Sequence, residues 1–144
     1  MSKISKELLE TYQRKLQKAL KHLEYSYNKI HTLPIEAPLD EEKLETLESF
    51  TARMARVSDI FITKYLRLVI SFEDPAFEGS VRDICNFAEK LNIIDSADLW
   101  IEIRNIRNAT AHEYEEEDLI KFLQRSQQLC PIVLKTVNRA LTKV

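Results

Sequence analysis

Three observations predict an all-α fold, a single-domain bundle of about five helices with two of them long. Apolar residues recur at steps of three or four through most of the chain, which is the period of one helix face. Gly occurs once in 144 residues, at Gly79, against about 7% in average usage, so turn-rich architectures lack their raw material. The length suits one domain with a real core, and no repeat period or low-complexity tract divides it.

Leu9, Tyr12, Leu16, Leu20, Leu23, Tyr27 and Ile30 line one face of a first helix from about residue 4 to 30. Two prolines, Pro34 and Pro38, make the next segment an ordered or extended connector. Asp40 is placed to cap a second helix, with Glu41, Glu42 and Glu45 near its positive end. Leu44, Leu47, Phe50, Met54, Val57, Phe61, Tyr65 and Leu68 carry that helix to about Ile70. A loop follows, from Ser71 through Pro75 to Gly79. Ser80 caps a third helix to about residue 91, lined by Val81, Ile84, Cys85, Ala88 and Leu91. After a turn at residues 92–95, Ser96 caps a fourth, which Leu99, Trp100, Ile103 and Ile106 carry to about residue 112. The fifth starts near Glu116, and Pro131 inside it is expected to kink it or split it in two.

Composition excludes several classes of function. One glycine cannot build a Rossmann or P-loop phosphate cradle. No stretch approaches the 18 or more apolar residues of a membrane span, and no apolar export signal follows Lys3 and Lys6, so a cytoplasmic protein is expected. Cys85 and Cys130 stand alone, without the spacing of a zinc site or a disulfide framework, and read as packing residues. No metal and no cofactor is expected. His22 and His31 read as surface residues, Trp100 as a core or interface anchor, and the Phe61, Tyr65 and Leu68 stripe as core or dimer interface. Net charge is −2, but unevenly distributed. Residues 1–31 hold seven Lys/Arg against three acids, residues 36–48 six acids against one Lys, and residues 119–144 five Lys/Arg and no acid. Such a pattern fits solvated helix faces or a dipolar surface.

The chemistry is concentrated in Arg104-Asn105-Ile106-Arg107-Asn108-Ala109-Thr110-Ala111-His112-Glu113-Tyr114. Cores do not need two Arg, two Asn, a His and a Tyr in eleven residues. Arg104, Asn108 and His112 follow at i, i+4 and i+8, one polar stripe on a helix. Arg107 lies five residues before His112, about 140° away around an ideal helix. Their convergence requires fraying at the helix end, the reach of a long Arg side chain, or a second copy of the helix across a symmetric dimer.

Residues Arg107 to Tyr114 resemble the Arg-x4-His-x-Tyr form of the motif of the HEPN superfamily of helical domains, typical of HepT-like toxins and related nucleotidyltransferase-associated proteins. By architecture the resemblance covers nearly all of residues 1–144 as one HEPN-like helical domain. It implies the toxin component of a toxin–antitoxin pair, a metal-independent endoribonuclease acting as a homodimer with two motifs facing across a cleft. Arg107 and His112 would be catalytic, His112 moving protons near neutrality and Arg107 stabilising charge on the phosphate. Asn108 would orient the His or bind phosphate, Arg104 would be a second phosphate contact, and the 2'-hydroxyl requirement would restrict the substrate to RNA.

The resemblance further implies that Tyr114 is the acceptor for adenylylation by a cognate minimal nucleotidyltransferase, the antitoxin, whose added phosphate charge would occupy Arg107. Glu113, Glu115, Glu116, Glu117 and Asp118 either complement the dipole of the next helix or dock a basic partner surface. An alternative function is a non-catalytic HEPN binding subunit that presents nucleotide or substrate to a nucleotidyltransferase partner. A plain helical adaptor, with the polar stripe satisfied at an interface, is a third.

Overall fold

Each polar residue that the sequence marks as a helix start is a working cap. The computed structural model of the chain describes residues 2–106 and 114–142. Helix α1 (Lys3–Ile30) opens at Ser2, whose Oγ accepts the Ser5 N–H at 3.0 Å. It buries Leu9, Leu16, Leu20, Leu23 and Ile30 on one face. The connector after it is ordered, because Gln127 and Gln124 of the last helix donate to the Ile30 and Ile35 carbonyls at 2.9 and 2.8 Å. The Ile30 carbonyl also accepts the Leu33 N–H at 3.0 Å, so the end of α1 is held from both the connector and α6.

Helix α2 (Glu41–Ile60) starts where Asp40 accepts the Lys43 N–H at 2.7 Å. It continues without a break into a π-helical turn at Phe61–Leu66 and then α3 (Arg67–Glu73). The rod therefore ends at Glu73, three residues beyond the expected Ile70. Its stop is set by Pro75, which forces the preceding Asp74 into extended backbone at φ −140° and ψ 91°. The wider π turn keeps two adjacent pairs, Phe61 with Ile62 and Tyr65 with Leu66, on the core side. Phe61 packs on Trp100 with ring centroids 4.9 Å apart, and the Tyr65 hydroxyl donates to the Ala140 carbonyl at 3.3 Å. Burial raises the Tyr65 phenol above its ordinary pKa.

Gly79 sits where a side chain does not fit, since a Cβ there would fall 2.5 Å from Cβ of Asp83. Its carbonyl accepts from Arg67 at 3.1 Å, tying the loop back to α3. Ser80 and Asp83 then form a reciprocal capping box on α4 (Val81–Lys90). That helix closes with Asn92 in the left-handed region at φ 60°. The Ile93 N–H returns to the Ala88 carbonyl and the Asn92 N–H to Glu89, both at 2.9 Å, which is a Schellman motif. Asn serves there because its short amide side chain tolerates the left-handed backbone.

Ser96 caps α5 (Ala97–Asn105) by accepting the Leu99 N–H at 3.1 Å. Its described α-helical span ends at Asn105, with the Ile106 N–H turned to the Ile103 carbonyl. The expected continuation to about residue 112 falls on residues 107–113, which lie outside the described residues.

Helix α6 (Glu116–Thr142) passes through Pro131 as one helix and is not split. Pro131 is exposed, so its ring faces solvent while Leu129, Cys130, Val133 and Val137 stay packed on the core side. A lost hydrogen bond on the water side is tolerated when the opposite face is held by packing. Because Gln127 reaches Ile30 while Asn138 and Leu141 share a groove with Gln17 and Leu20, α6 runs antiparallel to α1. One core joins these elements, with Leu16, Phe50, Met54, Phe61, Ile84, Trp100 and Val133 all at most 1% exposed. The architecture is all-α, and no described helix is long and apolar enough to cross a membrane.

Candidate functional site

Helix α5 carries the first two residues of the run that the sequence singles out, Arg104 and Asn105, and it is fixed on several sides. Trp100 is buried against Phe61. Glu102 accepts a bidentate pair from Arg125 of α6 at 2.8 and 3.0 Å. Asp98 pairs with Arg82 of α4 at 2.6 Å. At the C-terminal end, Arg104 pairs with Asp59, one residue before the end of α2. These bonds and the buried Ile103 and Ile106 hold the point from which the motif departs.

The other end of the motif is also held. Tyr114 stacks on Phe122 of α6 with centroids 5.7 Å apart and planes 14° apart, leaving 38% of the residue exposed. Glu116, Glu117 and Asp118 fill the first turn of α6, where they meet the positive end of its dipole. Glu117 also pairs with Lys121 at 3.7 Å.

Of the predicted site residues, the described part of the chain contains Arg104 and Tyr114. Arg107, Asn108 and His112, with Glu113, lie outside the described residues. The Arg104 side chain is only 11% exposed and its guanidinium is held by a carboxylate, whereas Asp59 is 48% exposed. Its first role in the structure is therefore to lock the end of α5 onto α2. Sequence reasoning missed Asp59 as the partner. The available signal was that Asp59 is the one acid among residues 49–72.

The remaining reactive groups are structural. Cys85 and Cys130 are free and buried. Burial pushes both thiols up, Cys130 to about 12, with Arg82 and Arg104 partly offsetting the rise at Cys85. Neither is a poised nucleophile. The exposed His31 ring lies against the Tyr27 and Asn28 carbonyls at the end of α1, with Nδ1 at 3.2 and 3.0 Å. No group of three or more His, Cys, Asp or Glu among the described residues is placed to hold a metal ion.

A feature the sequence reading left as a charge run is a groove of about 630 Å³ between α1 and the end of α6, lined on one side by Arg14, Lys18 and Lys21. Comparisons with protein-family models, with curated proteins and with solved structures find no match to the chain.

Proposed function

We propose that the chain is a HepT-like toxin, a metal-independent endoribonuclease inhibited by a cognate minimal nucleotidyltransferase antitoxin. The observation that carries this reading is the Arg107-x4-His112-x-Tyr114 run leaving α5 in an all-α bundle. The fixed end of α5 supports it, because a cleavage site must be held to within a fraction of an ångström by its scaffold.

In the proposed reaction His112 accepts the proton of a ribose 2'-hydroxyl. The 2'-oxygen then bonds to the adjacent phosphorus as the bond from phosphorus to the 5'-oxygen breaks, and the 5'-oxygen leaves with a proton returned by the His112 imidazolium. The products are a 2',3'-cyclic phosphate and a 5'-hydroxyl. Arg107 offsets the charge that builds on the phosphoryl oxygens, and Asn108 orients the imidazole or the phosphate through its amide. Arg104, held by Asp59, positions the segment. Two copies of the chain face each other, so that Arg107 of one and His112 of the other share a cleft.

Tyr114 is the proposed site of adenylylation. Its exposure, together with a ring fixed by Phe122, suits an acceptor whose hydroxyl must enter another enzyme's site. A cytoplasmic setting suits the two free buried thiols.

The test is digestion of total RNA by the purified protein in EDTA, with analysis of the fragment ends. Cyclic phosphate ends that disappear in Arg107→Ala and His112→Ala support the reading. Intact RNA with a folded dimer transfers it to the non-catalytic binding subunit.

A further inference from the structure

We propose that the groove between α1 and the C-terminal half of α6 is a binding site for the phosphate backbone of a single-stranded nucleic acid. The groove encloses about 630 Å³ and stays open to solvent along one side. Arg14, Lys18 and Lys21 follow at i, i+4 and i+7, so they stand on one face of α1 and span about 10 Å along its axis. That span exceeds what one phosphate can bridge and fits successive phosphates of a strand.

Their charges are uncommitted. None of the ion pairs among the described residues takes Arg14, Lys18 or Lys21. Arg14 makes one bond, to the Thr11 hydroxyl at 3.2 Å, which leaves most of its guanidinium donors to the groove. The facing wall adds Asn138 and Thr142, and Gln17 lies between the cations. Exposed Lys135 stands one turn before Asn138, and residues 119–144 hold no acid at all. Among the described residues Glu24 is the single acid lining the groove.

The donor chemistry decides between occupants. Arg, Lys, Asn, Gln and Thr are the side chains that contact phosphate oxygens. An acidic protein segment would need a buried aromatic or aliphatic anchor at its centre. The groove has only Leu20 and Leu141 as apolar lining, and Leu20 is already buried in the core. Backbone phosphate suits each of the described polar groups that line the site except Glu24.

Along α6, Asn138 lies 22 residues beyond Glu116, or about 33 Å from the start of the helix next to the motif. The groove is therefore set apart from Tyr114, the described end of the motif, and its binding role does not rest on the ribonuclease reading. Loss of cleavage and loss of groove binding are independent outcomes.

The test is fluorescence anisotropy at low salt. The probes are a labelled 2'-O-methyl oligouridylate of about ten nucleotides, which cannot be cleaved, and oligothymidylate of the same length. The expected result is that Arg14→Ala/Lys18→Ala/Lys21→Ala weakens binding at least about tenfold and lowers the slope of log K against log salt by about 2. The control Arg56→Ala/Lys64→Ala/Lys90→Ala, with the same change in net charge on other exposed cations, should bind as the parent does. Equal affinity for the two oligomers assigns recognition to phosphate alone, and tighter RNA adds the 2'-oxygen. An unchanged affinity in the groove variant overturns the proposal. So does an equal loss in the control, or a polyglutamate peptide of matched charge that binds as tightly as the oligomers.

Discussion

Arg104 and Asp59 form an asymmetric ion pair across α5 and α2, the Arg104 side chain 11% exposed and the Asp59 side chain 48% exposed. The two partners therefore differ in what happens when the other is removed. Asp59→Ala strands a mostly buried positive charge, for which a loss of about 2 kcal/mol is expected. Arg104→Met keeps the packed stem and leaves a carboxylate that water can reach, so under about 1 kcal/mol is expected. Urea unfolding of the two variants checks this, and equal losses would refute the asymmetry.

The Schellman turn after α4 gives a second expectation. Asn92 stands at φ 60°, where a β-carbon is strained and glycine is not. Asn92→Ala should cost about 1 kcal/mol while Asn92→Gly should be neutral or stabilising. Thermal midpoints of the pair decide it, and equal midpoints would place the strain elsewhere.

Acid stability should carry the mark of two carboxylates. Ser80, through backbone and side-chain hydrogen bonds, holds Asp83 below the usual carboxyl range, and the Arg125 hydrogen bond does so for Glu102. A folded pKa below the unfolded one means that the stabilisation is complete above the unfolded value of about 4. It is lost as pH falls through the lower folded value. Asp83→Asn and Glu102→Gln should therefore lower the melting temperature near neutrality and converge on the parent at strongly acid pH. Curves that stay parallel down to that limit would contradict the assignment.

These features were not equally visible in the sequence. Asp40, Ser80 and Ser96 were legible because a cap is a local device, settled by a polar side chain just before an apolar period. The π turn was hidden, since Phe61–Leu66 continues the helical spacing and its extra residue per turn answers to Trp100 and Ala140 far along the chain. That α6 is not split at Pro131 was hidden for a similar reason. A proline's cost depends on which face it occupies, and the burial of Leu129 and Val133 opposite it is a tertiary fact. The pairing of Arg104 was hidden because Asp59 is 45 residues away. The basic stretch of α1 was visible as charge, but its groove exists only once α6 lies antiparallel beside it.

Thiol reactivity supplies a further check. Both cysteines are fully buried, and burial pushes Cys130 up to about 12. Neither should react with an aromatic disulfide reagent in the native protein, and both should react at once in denaturant. Rapid native labelling of either would show that its face of the bundle opens.

The most direct measurement is the single-turnover rate of RNA cleavage in EDTA for the parent, Arg107→Ala and His112→Ala, with thermal midpoints recorded on the same samples. Each variant is expected to lose at least about 100-fold in rate, the minimum for a general acid–base group, with a nearly unchanged midpoint. A His112→Ala protein that cleaves within about twofold of the parent would contradict the assignment of His112 as the proton-transfer group and, with it, the proposed ribonuclease chemistry.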